Sequence, residues 1–260
     1  MHHAGGDLIG AAPKAAARLI EELRARGPRV HCITNTVAQA YTANMLLAAG
    51  CIPSMTLSVE EIGGFVGRAE ALLVNLGTFD AERREASGIA IAAAHEHKRP
   101  WVLDPVFVDR SPARAAFARD LVKRGVRVVR LNQAELAALA HGATREDAIA
   151  YARATGVVVA LSGAADLVTD GTRAITIGNG HPLMARVTAM GCAGSALVAA
   201  CLALEPDALL ASAAALIALG VAGEIAVEKS AGPGSFAIAI IDALAALDAP
   251  ALLARAKVSA

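Results

Sequence analysis

The run Val187-Thr188-Ala189-Met190-Gly191-Cys192-Ala193-Gly194-Ser195-Ala196 follows Asn179-Gly180-His181-Pro182-Leu183-Met184 and carries a small-residue turn into an alanine-rich helix. Such a helix start is an anion site, because its first N–H groups lack intrahelical acceptors and the macrodipole adds partial positive charge there. A phosphate fits it. A thiol at that end is expected to be more acidic than the free value of about 8.5. Cys192 is therefore placed to meet a transferring phosphoryl group and to act as a base. The same small residues also suit close helix packing, and an isolated cysteine behaves as a small buried hydrophobe. The segment alone leaves both readings open.

Other candidates sit just after short apolar runs, where parallel α/β sheets place their ligands. Thr34-Asn35 follows the first run, Asn75 the third, Asp104-Pro105 the fourth, Arg130-Leu131-Asn132 the fifth and Ser162-Gly163 the sixth. Asn132 and Glu135, three apart at a helix start, share a face, and with Asp104 they could hold a hydrated magnesium ion. The same pair also spells a capping box. Arg130 could contact an ATP phosphate. Neither a GxxxxGK[ST] loop nor a GxGxxG after the first strand is present, which argues against a P-loop NTPase and a Rossmann dehydrogenase. His95 and His97 fall on an exposed helix end.

Positioning these residues requires alternating βα units, and the pattern supplies them. Strands are predicted at Val30 to Ile33, Ile52 to Met55, Ala71 to Val74, Trp101 to Asp104, Val126 to Val129 and Val157 to Leu161. Helical patterns fill the gaps, so the class is α/β, with a mostly parallel sheet covered on both faces. Asp170-Gly171 between two further short strands marks a hairpin and an antiparallel addition. Ser111-Pro112 is a helix start. After the hairpin, Ala193 to Leu204, Ala208 to Lys229 and Phe236 to Leu247 form a helical C-terminal third, broken at Glu205-Pro206-Asp207 and Gly232-Pro233-Gly234. No internal repeat or linker divides residues 1–260, so a single domain is expected.

The chain has 24 basic and 24 acidic residues and no net charge, hence no electrostatic footprint for nucleic acid or an anionic membrane. Small molecules are the expected partners. Its four cysteines show no metal-ligand or disulfide spacing, which suits a reducing cytosol. The start of the chain, with Asp7 and no basic region before an apolar run, does not read as a signal peptide. The apolar stretch from Ala208 to Gly223 falls short of about 18 residues and reads as a core helix. Abundant alanine favours close packing, including between subunits.

Taken in order, His31-Cys32-Ile33-Thr34-Asn35, Thr42-Ala43-Asn44, Pro53-Ser54-Met55, Asp104-Pro105-Val106, Asn132-Gln133-Ala134-Glu135, Val168-Thr169-Asp170-Gly171, Asn179 to Met184, Gly191-Cys192 and Gly232-Pro233-Gly234-Ser235-Phe236 resemble hydroxyethylthiazole kinase over about residues 29 to 236. The resemblance implies a ribokinase-like fold, a homotrimer, and ATP- and magnesium-dependent phosphorylation of 4-methyl-5-(2-hydroxyethyl)thiazole in thiamine salvage. It places Met55, Ala189, Asn35 and Thr34 at the thiazole, and Arg130, Ser162, Asn132 and Gly191 at ATP. Asp104 and Glu135 become the magnesium-linked acids, and Cys192 takes the position of a catalytic aspartate in related kinases. The chain departs from the family's Gly-Thr-Gly-Cys with Ala189-Met190-Gly191-Cys192, from Arg-Gly-Asn with Arg130-Leu131-Asn132, and from Thr-Gly-Glu with Ser162-Gly163-Ala164. Phe107-Val108-Asp109 replaces small residues. These changes crowd the acceptor site and admit two other readings: a kinase for a different small heterocyclic alcohol, or a protein that binds ATP or a thiazole without turnover.

Overall fold

The computed structural model describes residues 4–260, so His2 and His3, which the sequence leaves without a role, lie outside it. Among the described residues nine strands form one sheet: β1 (Arg29–Ile33), β2 (Ile52–Ser54), β3 (Ala71–Asn75), β4 (Trp101–Asp104), β5 (Val128–Asn132), β6 (Val158–Ser162), β7 (Asp166–Thr169), β8 (Ala174–Ile177) and β9 (Val258–Ser259). Their order is β2-β1-β3-β4-β5-β6-β7-β8-β9. The pairs from β2 through β6 are parallel, and β7, β8 and β9 add antiparallel. The Asp170-Gly171 hairpin joins β7 to β8 as the sequence predicts, with Gly171 at φ 87°.

The helices are α1 (Ala4–Arg26), α2 (Gln39–Ala48), α3 (Ile62–Arg68), α4 (Ala81–Glu96), α5 (Pro112–Val122), α6 (Gln133–Ala140), α7 (Arg145–Thr155), α8 (Met190–Leu202), α9 (Ala208–Val227), α10 (Pro233–Ala246) and α11 (Ala249–Arg255). Strand side chains alternate between two cores, because successive residues point to opposite faces. Leu73 and Val102 join α1, α2 and α8 to α11 on one side, whereas Leu72 and Leu103 join α3 to α7 on the other. Helix α9 is apolar and long enough to cross a membrane, yet most of it is buried and it packs against α1, α8 and α10 as a core helix.

Two differences from the sequence reading bear on the site. Strand β5 starts two residues after its apolar run does and ends three residues beyond it, so Arg130, Leu131 and Asn132 belong to the strand itself. Helix α8 begins at Met190, which puts Gly191 and Cys192 in its first turn. The closing helix α11 and the short edge strand β9, neither predicted, pack against α1 and pair with β8.

Candidate active site

Parallel pairing brings the carboxyl ends of β3 to β6 to one rim. Asn75 lies opposite Asp104 in the β3–β4 register, and Asn132 lies opposite Ser162 in β5–β6. The amino end of α8 points at this rim. Its first intrahelical bond is from the Ala193 N–H to the Ala189 carbonyl (2.9 Å), so the Gly191 and Cys192 amides lie ahead of the helical ladder. Ala189, just before the helix, sits at φ 72° in the left-handed region. That is the conformation glycine adopts without cost and alanine does not.

A hydrogen-bonded chain links the polar side chains. Asn35 Nδ2 donates to Cys192 Sγ (3.1 Å) and to Asn75 Oδ1 (3.4 Å). Asn75 Nδ2 donates to Asp104 Oδ2 (2.7 Å), and Ser195 Oγ donates to the same oxygen (2.8 Å). A Cβ at Gly77 would stand 2.6 Å from Asn35, so only glycine there lets the amide reach the sulfur. Arg130 Nη1 donates to the Gly191 carbonyl (3.0 Å), tying the first turn of α8 to β5. The guanidinium thus sits beside the helix start.

Glu135 and Asn132 do form the capping box. Asn132 Oδ1 accepts from the Glu135 N–H (3.0 Å) and Glu135 Oε2 accepts from the Asn132 N–H (2.9 Å). Glu135 Oε1 accepts the Phe107 N–H (3.0 Å), holding a residue at φ 62° in the loop after Asp104. Asn132 thus spends its side-chain oxygen on the helix cap, and the residue also borders the cavity that holds Cys192. Ser162 Oγ donates to the Leu131 carbonyl (3.2 Å).

Burial shapes the electrostatics. Asp104 is pushed up to about 6 by loss of water and the nearby Glu135, against the pull of Arg130, Ser195 and Asn75. The Cys192 thiol is pushed up to about 11, first by burial and then by Asp104, and the Asn75, Asn35 and Arg130 donors only partly oppose this. The sequence-based expectation of an acidic thiol is thus reversed. Withdrawal from water and a carboxylate neighbour outweigh the helix end.

Asp104, Arg130, Glu135, Ala189 and Cys192 line a cavity of about 280 Å³, into which Phe107 also projects. A second cavity of about 580 Å³ shares Arg130, Ser162, Met184, Met190 and Gly191 with it and continues past Gly163 and Leu219. The structure therefore joins most of the sequence-predicted residues in one hollow, with Asn35 behind Cys192. Met55 and Thr34 are not in its lining. Met55 is half-buried beyond β2 at the sheet edge, and Thr34 is buried with its hydroxyl unpartnered. Ser195, one turn after Cys192 on the same helix face, was missed by the sequence reading. Its signal was the i, i+3 spacing.

Among the described residues no group of three or more His, Cys, Asp or Glu is arranged to hold a metal ion. Asp104 and Glu135 give two carboxylates; among the described residues Oδ1 of Asp104 accepts from no protein side chain, whereas each Glu135 oxygen already accepts one backbone N–H. A cation that keeps several waters and leans on substrate phosphates suits that donor set.

A sequence model described as "Hydroxyethylthiazole kinase family" matches residues 20–250. A relative from Agrobacterium fabrum, named "Probable hydroxyethylthiazole kinase", is 43% identical over 243 residues, covering 94% of each chain. The solved hydroxyethylthiazole kinase protein of Pyrococcus horikoshii superposes with a TM-score of 0.90 at 35% identity, covering 95% of this chain and 98% of that one. A ribokinase-like superfamily protein from Enterococcus faecalis shares the fold with a TM-score of 0.67 at 14% identity, covering 88% and 93%.

Proposed function

The chain belongs to the hydroxyethylthiazole kinase family, and from that premise we propose the reaction: transfer of the γ-phosphoryl group of ATP to the primary hydroxyl of 4-methyl-5-(2-hydroxyethyl)thiazole, a step of thiamine salvage, within one kinase domain. The observation that carries it is the α8 start, with Gly191 and Cys192 facing Arg130, Asp104 and Glu135 across one cavity.

The larger cavity takes the nucleotide, with Ser162 and Met184 along its wall, and the phosphates run toward Arg130 and the Gly191 amide. Phosphoryl transfer asks mostly for positioning and charge stabilisation, which these donors supply. Magnesium, when bound, neutralises phosphate charge, and Asp104 and Glu135 are the side chains that would hold it. Cys192 receives the hydroxyl proton of the acceptor, and Asn35 orients the sulfur. Only the thiolate can take that proton, and a thiol near 11 is largely protonated at neutral pH, so turnover through Cys192 draws on its small ionised fraction. Ala189 and Cys192 border the acceptor, and Thr34 and Met55 extend the acceptor side toward the β2 edge.

A homotrimer fits the apolar surface at that edge: Val37, Leu47 and Ile52 are 76%, 58% and 49% exposed, with Phe65 nearby. Four unpaired cysteines suit the cytoplasm. The deciding assay mixes purified protein, ATP, magnesium and the thiazole alcohol and measures phosphorylated product by mass. Absence of product, with thermal stabilisation by ATP or the alcohol, would assign binding without turnover. Product from another heterocyclic alcohol alone would reassign the acceptor, an outcome that Met190 and Phe107 in the cavity walls make worth a substrate panel.

A further inference from the structure

The amino ends of β4 and β5, at the opposite pole of the sheet from Cys192, open into a separate cavity of about 570 Å³. Its wall takes Trp101 from the first position of β4, Lys98 and Arg99 from the turn before it, Arg127 from just before β5, and Leu204 and Pro206 from the α8–α9 connection. None of these residues borders the cavity that holds Cys192. The proposed phosphoryl transfer does not use them.

The wall carries positive charge that no acid in it neutralises. Arg99 donates to the Gly67 carbonyl (3.2 Å) and Arg127 to the Pro206 carbonyl (3.2 Å), so each guanidinium keeps its charge. The acid present, Glu205, is paired with Arg18 and accepts the Asp207 N–H. His95 also lines the space and is bonded to the Arg124 carbonyl. Two N–H donors in this wall, Trp101 Nε1 and Arg99 Nε, are shut off from solvent with no acceptor in the protein, and Trp101 is 1% exposed. The remaining surface is apolar, and the volume is that of a small-molecule site.

We infer that this cavity binds a phosphorylated small molecule, its phosphate held by Lys98, Arg99 and Arg127 and its apolar body resting on Leu204 and Pro206 above the buried Trp101. Charge-assisted bonds from two guanidiniums and an ammonium suit a phosphate dianion. The apolar walls favour an ester over the free ion.

Trp101 is the sole tryptophan in the chain, so intrinsic fluorescence reads this cavity directly. Phenyl phosphate, inorganic phosphate and phenol are titrated at constant ionic strength against the full-length protein and against Lys98→Gln/Arg127→Gln. The expected result is a saturable change that is tightest for phenyl phosphate, weaker for inorganic phosphate and absent for phenol. In the double variant, half-saturation rises about tenfold or more while turnover is kept. Equal half-saturation in the two proteins overturns the inference, since a phosphate ester bound only at the Cys192 cavity would give that result. A non-saturable response, or phenol binding as tightly as its phosphate, overturns it as well. If the double variant loses turnover through misfolding, Lys98→Glu alone, at an exposed position, must weaken phenyl phosphate; no weakening sinks the inference.

Discussion

If Cys192 is the proton acceptor, the rate must follow its ionisation, and the structure sets where that happens. The thiol lies near 11 because burial and Asp104 outweigh its three opposing donors. At pH 8 it is then about 10⁻³ ionised, and each further pH unit raises that fraction about tenfold. The kcat/KM for the thiazole alcohol, which reports groups of the free enzyme, is expected to climb with a slope near one from about pH 8 to 10. Phosphorylated product is measured directly, while iodoacetamide labelling of Cys192, read by peptide mass, follows the thiolate in parallel. The other cysteines are more deeply buried, so their labelling is separable. Cys192→Ala should lose about 10²–10⁴ in kcat, and Cys192→Asp, ionised throughout this range, should give a flat profile. A flat wild-type profile beside rising alkylation would refute the assignment of the sulfur as base, leaving positioning and charge as the whole of catalysis.

Asp104 makes a second case, with the opposite sign of usefulness to stability. Its folded value of about 6 stands above the usual 3.8, so it favours the fold below pH 3.8 and loses that contribution as pH rises through 6. Asp104→Asn is therefore expected to be more stable at pH 8 without magnesium, by at most about 3 kcal/mol in a urea titration, while losing turnover and any stabilisation by added magnesium. Ala189→Gly relieves the left-handed alanine and should add about 1 kcal/mol after the entropy of the freer unfolded chain is deducted, read as a rise in Tm. Combined with Met190→Thr, it should raise turnover of the thiazole alcohol; no gain would show that the pocket has adapted to the altered pair. His31 is fully buried, bonded to Ser54 and the Thr56 carbonyl, and held down at about 4 by loss of water. The unfolded chain takes up this proton first, so stability present above pH 6.5 should be lost toward pH 4, by about 3 kcal/mol, and His31→Asn should lack that loss.

Local chemistry was legible in the sequence because its causes are local. Trp101 to Asp104 is a strand where its apolar run ends in an acid, Ser111 caps α5 by accepting the Arg114 N–H (3.3 Å), and Asn132 and Glu135 close the capping box their spacing spells. The strand-end rule also found most of the rim. Through-space chemistry was not legible. No spacing reports that Asn75 and Ser195, 120 positions apart in the chain, meet on one oxygen of Asp104. The acidity expected of Cys192 considered the helix start and not the carboxylate delivered by a different strand. Glu135 shows why the alternative readings at this site were never exclusive. The carboxylate that caps α6 also holds Phe107 in the left-handed loop behind Asp104 and lines the Cys192 cavity. Replacing it disturbs the cap, the loop and the charge together; Glu135→Gln is the mildest change, dropping the charge and keeping one of the two backbone acceptors while its NH2 faces the other N–H. Turnover lost with the fold intact would assign the carboxylate to the reaction, and turnover retained would leave it to the cap and the loop.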